Sequence, residues 1–187
     1  MQHSSDWEIR VFIEIEALKP EPLQVSHTYE SGQFRLAHED AALTAPVHAE
    51  FTLSYRDQEL HINGSAQTAI KYKCSRCLKE FARPLAVSYT LFYLPQPKGN
   101  HAEDEIALKY DEMDIAFYDG VRFDVDLMIL EQIELSMPMQ FVCQEDCQGL
   151  CYVCGADLNE GSCGCKKEDQ DSRLAALLEF RKKMNQE

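Results

Sequence analysis

Glu59-Leu-His-Ile-Asn-Gly-Ser-Ala-Gln-Thr-Ala-Ile-Lys-Tyr-Lys-Cys74-Ser-Arg-Cys77-Leu-Lys-Glu-Phe81-Ala-Arg-Pro-Leu-Ala-Val-Ser-Tyr-Thr-Leu-Phe-Tyr-Leu94 is the stretch that decides the fold. Its two flanks read as strands, Glu59 to Tyr72 and Phe81 to Leu94, with a cysteine pair at the turn between them. Asn63-Gly64 reads as a bulge or kink in the first flank. Upstream, Val47 to Tyr55 alternates apolar and polar residues, and Arg56-Asp-Gln58 reads as the turn that joins it to Glu59.

Outward from this hairpin the pattern thins. Trp7 to Ala17 alternates, with Ile9, Val11, Ile13 and Ile15 on one face and Phe12 as the exception, as a half-buried strand would. Lys19-Pro-Glu-Pro22 ends it, because proline cannot donate to a ladder. Residues 23–46 show only sparse anchors, Phe34, Leu36 and Leu43. Residues 98–134 hold 11 Asp and Glu against 3 Lys and Arg and read as a solvated face. Within them, Asp114–Tyr118, Asp119-Gly120 and Val121–Phe123 predict a hairpin or a tight strand reversal. Asp124 is placed to cap a helix to about Met137, with Leu127, Leu130 and Ile133 on its apolar stripe, Ile129 nearby and Pro138 as its stop. A last helix is predicted from about Ser172 to Met184.

The fold class that follows is α+β. An antiparallel β-sheet or partly open barrel with one packed helix occupies residues 1–142, and a cysteine-rich tail ending in a helix occupies 143–187. The 187 residues suit one domain with an appendage, and 45% hydrophobic content is enough for a core. The start of the chain lacks a basic region followed by an apolar block, and no apolar run reaches the roughly 20 residues of a membrane span. A cytoplasmic location is therefore expected, where thiols stay reduced and paired cysteines bind metal more often than they form disulfides. Neither a membrane nor a small-molecule substrate is expected as a partner.

Of the 8 cysteines, six lie between Cys143 and Cys165. Cys151-x2-Cys154-Gly155 has the form of a metal knuckle: two intervening residues let backbone N–H groups face the sulfurs, and glycine tolerates the positive φ that follows. Cys163-Gly-Cys165 offers two more corners. Four thiolates complete a tetrahedral shell, so Cys151, Cys154, Cys163 and Cys165 point to a structural Zn²⁺ site. Cys74 and Cys77 need two partners, and Cys143 and Cys147 are the cysteines that remain. Other partitions of eight thiols stay open on spacing alone. Iron also accepts thiolates; zinc is favoured in a chain without other redox features.

Rival chemistries fit less well. A thioredoxin-like pair belongs at a helix N-terminus, whereas strands flank Cys74 and Cys77. His48-Ala-Glu50 ahead of the cysteine pair resembles a zinc deaminase set, but Lys73 stands where that motif has proline. No Ser-His-Asp set, phosphate loop or dinucleotide glycine fingerprint occurs, and no enzyme is expected. The formal charge is −14, and eight thiolates holding two Zn²⁺ would take it to about −18. This disfavours nucleic-acid binding over the whole surface. The local exception is Lys71, Lys73, Arg76, Lys79 and Arg83 around the first pair, which either offsets the charge of a metal site or faces RNA or a protein partner, with Tyr72 and Phe81 available for stacking.

Taken in order, Cys74-Ser-Arg-Cys77-Leu78, Leu135-Ser-Met-Pro138, Cys147-Gln-Gly-Leu-Cys151-Tyr-Val-Cys154-Gly155-Ala-Asp-Leu-Asn159 and Cys163-Gly-Cys165 resemble the YceD family, the large-ribosomal-subunit RNA accumulation proteins of bacteria and plastids. The resemblance spans about residues 60–180. It implies a non-catalytic role in accumulation of large-subunit ribosomal RNA and in assembly of that subunit. The implied partner is a large-subunit precursor, met through its RNA or a basic ribosomal protein. Family members that lack the C-terminal cysteine set and carry histidine at the position of Cys143 imply the grouping Cys74, Cys77, Cys143, Cys147. Tyr152 and Asp157 stand where the family often has proline and asparagine, and Asp157 would forfeit an amide donor near the sulfurs. The alternative function is a zinc-ribbon module that binds a basic partner outside ribosome assembly.

Overall fold

The computed structural model describes residues 11–19, 21–96 and 115–165. Residues 7–10 of the first predicted strand, most of the acidic stretch ahead of β7 and the helix predicted over 172–184 lie outside the described residues. The described chain is mostly sheet with one helix: β1 (Phe12–Glu14), a 3₁₀ turn (Ile15–Leu18), β2 (Leu23–Tyr29), β3 (Ala41–Leu43), β4 (Val47–Arg56), β5 (Glu59–Lys73), β6 (Glu80–Pro95), β7 (Ile115–Tyr118), β8 (Arg122–Asp124) and α1 (Val125–Leu135). It divides into two compact units. The first takes the chain up to Cys74 and from Lys79 to Cys143; the second takes Ser75–Leu78 and the chain from Gln144 onward.

The first unit is organised on β5 and β6, paired antiparallel from Leu60↔Tyr93 to Lys73↔Glu80. The other edge of β5 is shared: β4 covers its first part and β3 covers Ile70 to Tyr72. β2 extends the sheet beyond β4. Strict alternation decides the faces. Phe51, Leu53, Leu60, Ile62, Ala66, Ile70, Tyr89 and Tyr93 are buried on one side, and Glu50, Asn63, Gln67, Ser88 and Thr90 are exposed on the other. The turn between β4 and β5 places Asp57 and Gln58 at φ 51° and 69°, the left-handed pair that matches the twist of a two-residue hairpin.

Gly64 is neither bulge nor kink in the pairing, since the register runs unbroken through Phe51↔Gly64 and Gly64↔Tyr89. Its reason is close approach: a Cβ there would stand 2.5 Å from the Phe51 Cβ and 2.7 Å from the Glu50 carbonyl oxygen.

Three further expectations change. The strand begun at Phe12 stops at Glu14, and a 3₁₀ turn buries Ile15 and Leu18 three residues apart. Of the hairpin or tight strand reversal predicted over 114–123, the reversal is present and the hairpin is not. Asp119 Oδ1 accepts the N–H groups of Val121 and Arg122, both at 2.8 Å, but the two strands part company. β7 pairs parallel to β6, whereas β8 pairs antiparallel to β1 in a separate two-stranded sheet. The main sheet is therefore mixed instead of purely antiparallel, and its strand order is an open path among the described residues.

The helix begins as expected, with Asp124 Oδ1 accepting the Leu127 N–H at 3.0 Å. It ends at Leu135, with the Ser136 hydroxyl turned back onto the Gln132 carbonyl at 2.7 Å, two residues ahead of Pro138. Its buried face is Val125, Met128, Ile129 and Ile133, and Leu127 is exposed. Tyr93 of β6 meets Phe123 edge-on at 4.8 Å beneath it.

Gly64→Ala is expected to lower stability by about 1–3 kcal/mol through overpacking. Gly32→Ala, with nothing within 4 Å of the added carbon, is expected to change it far less. Denaturant midpoints of the two variants check the difference.

Candidate metal centres

Two groups of four cysteines gather in the structure: Cys74, Cys77, Cys143 and Cys147, and Cys151, Cys154, Cys163 and Cys165. In each, the sulfur atoms all lie within 4.8 Å of one another. Four sulfurs at the usual Zn–S distance of about 2.3 Å would stand roughly 3.8 Å apart, so both groups fit the donor set and size of a tetrahedral ion. No histidine or carboxylate joins either group among the described residues, which leaves His48 and Glu50 without the deaminase-like arrangement.

The same turn builds the core of both groups. In Cys74-Ser-Arg-Cys77-Leu78-Lys79 the Cys74 N–H donates to the Lys79 carbonyl at 2.9 Å. In Cys151-Tyr-Val-Cys154-Gly155-Ala156 the Cys151 N–H donates to the Ala156 carbonyl at 2.8 Å. The residue after the second cysteine is left-handed in each, Leu78 at φ 62° and Gly155 at φ 74°. In the tail turn, backbone N–H groups of Cys154 and Val153 donate to the Cys151 sulfur and, with the Cys163 thiol, bring its pKa down to about 6. Hydrogen bonds to Cys154 and Cys163 push the Cys165 thiol the other way, up to about 12. Crowded thiols lose their protons unequally, and a cation is what would let all four ionise together.

Burial differs between the groups. Cys74, Cys77 and Cys147 are buried and Cys143 is half-buried. In the other group only Cys151 is buried, and Cys154 is exposed.

Supporting residues emerge that spacing did not reveal. The Asn159 amide donates to the Cys147 sulfur at 3.5 Å and its Oδ1 accepts the Gln148 N–H at 2.8 Å. Asp157 does not face a sulfur as donor; it accepts the Asn159 backbone N–H at 2.9 Å and holds the Asn159 amide at 2.6 Å. The amide donor that position 157 would have forfeited is thus supplied by position 159. Gly149, at φ 73°, lets the chain pass Arg76: a Cβ there would stand 2.9 Å from the Arg76 carbonyl oxygen, which accepts the Leu150 N–H at 3.1 Å.

Much of the basic cluster is used locally. Arg76 donates to the carbonyls of Glu145 and Cys147 at 3.2 and 3.1 Å, and Arg83 to those of Val142 and Cys143 at 2.9 and 3.1 Å. Lys71 pairs with Glu80 at 3.1 Å, while Lys73 and Lys79 are exposed. Tyr72 is not available for stacking on a base. It is buried and its ring lies 4.5 Å from Phe141 and 5.7 Å from Phe81.

With this geometry, the sequence matches the family model described as Large ribosomal RNA subunit accumulation protein YceD over residues 62–181, which takes in all eight cysteines. The chain belongs to the YceD family. Relatives in Arabidopsis thaliana and Zea mays are each named large ribosomal RNA subunit accumulation protein YCED homolog 1, chloroplastic. The first is 24% identical over 161 residues, 75% of this chain and 50% of that protein. The second is 27% identical over 143 residues, 65% of this chain and 49% of that protein. An uncharacterized protein of Mycobacterium tuberculosis is 30% identical over 122 residues, 64% of this chain and 54% of its own. The chain spans about half the length of the curated relatives it matches. No solved structure matches it. No helix among the described residues is long and apolar enough to cross a membrane.

The paired turns of this YceD member yield an opposed expectation. Leu78→Gly should raise stability by roughly 0.5–1 kcal/mol, because leucine pays for the left-handed conformation, and Gly155→Leu should lower it by a similar amount. Thermal unfolding of the two variants checks the signs.

Proposed function

We propose that this chain is a non-catalytic zinc-binding factor that supports accumulation of large-subunit ribosomal RNA and assembly of that subunit. In this reading Cys74, Cys77, Cys143 and Cys147 hold one Zn²⁺ and Cys151, Cys154, Cys163 and Cys165 hold another. The observation that carries it is the closed character of the two thiol groups. Four thiolates leave zinc no open position for water or substrate, so each ion would brace the chain instead of reacting. Asn159 and Arg76 would then act as the outer shell, orienting the Cys147 sulfur and the carbonyls beside it.

The ribosomal part of the reading is supported by family membership and by the printed names of the plant relatives. The partner is a large-subunit precursor. Between its RNA and a basic ribosomal protein, the net charge of −14 favours the protein. Lys71, Lys73, Arg76, Lys79 and Arg83 remain the place where RNA would be met if it is met at all.

Native mass spectrometry of the intact chain is expected to show two Zn²⁺, with one lost from Cys74→Ser and one from Cys154→Ser. Loss of both ions from either change would overturn the grouping. The tagged chain is expected to sediment with large-subunit precursors, and its depletion to lower large-subunit RNA relative to small-subunit RNA. Absence of both effects would contradict the ribosomal role. Asn159→Leu is expected to weaken zinc retention by the first site by about tenfold, read as faster transfer to a chelator.

A further inference from the structure

One groove of the first unit has no part in either thiol group. It encloses about 380 Å³ between β1, β7, β8 and α1. Its floor is buried, formed by Tyr93, Phe123 and Met128. Its walls are apolar yet open: Phe12, Phe117 and Leu127 remain 38%, 45% and 48% exposed. Large apolar side chains gathered around a concavity mark a docking surface more often than scattered ones do.

The groove also carries charge. On the wall of Phe12, Arg122 lies over the ring at 4.4 Å and is held 3.8 Å from Asp119, so that cation is already placed. Asp119 accepts two backbone N–H groups and Asp124 caps α1. Glu131 on α1 has no such employment. Desolvation raises its pKa, and the neighbouring carboxylates of Asp124 and Glu134 raise it further. No cation pairs with Glu131 among the described residues. A carboxylate crowded by like charge beside aromatic and aliphatic walls suits a long cationic side chain, whose stem covers apolar surface while its head meets the acid.

We propose that this groove takes a lysine or arginine side chain from a basic, apolar-flanked segment of a protein partner, its stem across Phe117 and Leu127 and its head at Glu131. This rests on the reading that the partner includes a basic protein. RNA is the wrong occupant on charge, since its phosphates would face Asp119, Asp124 and Glu131. The chain's own segment ahead of β7 also has the wrong sign, with Glu103, Asp104, Glu105, Asp111, Glu112 and Asp114 against Lys98 and Lys109.

The test uses the full chain with methyl-labelled leucine and methionine. It is titrated with a synthetic peptide alternating lysine, leucine, arginine and phenylalanine, with the same peptide carrying glutamate for the cations, and with an A-form RNA hairpin. The expected result is that only the cationic peptide shifts the Leu127 and Met128 methyls, and that Glu131→Gln weakens its binding about tenfold without moving the unfolding midpoint. Phe117→Ser is expected to weaken it as well. Equal binding by Glu131→Gln, shifts of these methyls by the hairpin, or existing contacts between them and residues 97–114 would each overturn the proposal. Sedimentation with precursor subunits is read separately: its loss in the unaltered chain would count against the ribosomal role while peptide binding still judged the groove.

Discussion

Between strands, two thiols separated by two residues meet at one ion when the chain reverses between them, and the β5–β6 ladder sets that reversal here. Its registered pairs run to Lys73↔Glu80, so the turn must be completed within residues 74–79. The Cys74 N–H closes it on the Lys79 carbonyl. The ladder is anchored in turn by Ile62, Ile70, Tyr72 and Tyr89 in the core, each worth on the order of 1.5–3 kcal/mol on burial. A hairpin held this firmly can keep Leu78 in a left-handed conformation that leucine disfavours. Among the described residues the tail turn has the isolated bridge Leu150↔Asp157 beside it and no strand pairing, and there the equivalent residue is glycine. Identical turn geometry thus has two origins, one imposed by sheet pairing and one built from local residue choice.

The difference explains what the sequence could and could not disclose. Strands β4 and β5 were legible because each buries nearly all of one face, and β6 because its inner face is at least half-buried over most of its length, so the alternation shows. β2 was not: of Leu23–Tyr29 only Tyr29 is buried, and an edge strand with a mostly exposed pattern carries little periodicity. The 114–123 region carried a true turn signal in Asp119-Gly120, but local signals report reversal and not pairing, and β7 and β8 chose separate partners. In α1 the cap and most of the face were legible: Ile129 and Ile133 are buried and Leu130 packs against the core, while Leu127, at the edge of the stripe, is exposed and Val125 and Met128 are buried in its place. Spacing pointed to the tail four, Cys151, Cys154, Cys163 and Cys165, but left other partitions of the eight thiols open; the family resemblance implied the first four, and the structure brings both sets close together. Asn159 was not legible, since nothing in a lone asparagine marks it as a donor to a sulfur twelve residues away.

The basic residues around the first pair take on a different weight in three dimensions. In sequence they form a positive island in a chain of net charge −14. In the fold, Arg76 and Arg83 direct their guanidinium groups at backbone carbonyls of residues 142–147, and Lys71 meets Glu80. Each arginine offers several donors in a fixed fork and meets two of these carbonyls at once. Of the three basic residues, Lys71 is offset by an acid, whereas Arg76 and Arg83 keep their charge but have donors committed to the chain.

The account stands on thiolates closed around ions. Zinc K-edge X-ray absorption of the purified full chain tests it most directly, because it reads the donor atoms themselves. The account predicts a first shell of sulfur alone at about 2.3 Å, averaging four per metal. A first shell with oxygen or nitrogen donors, or a folded chain that carries no metal, would contradict it.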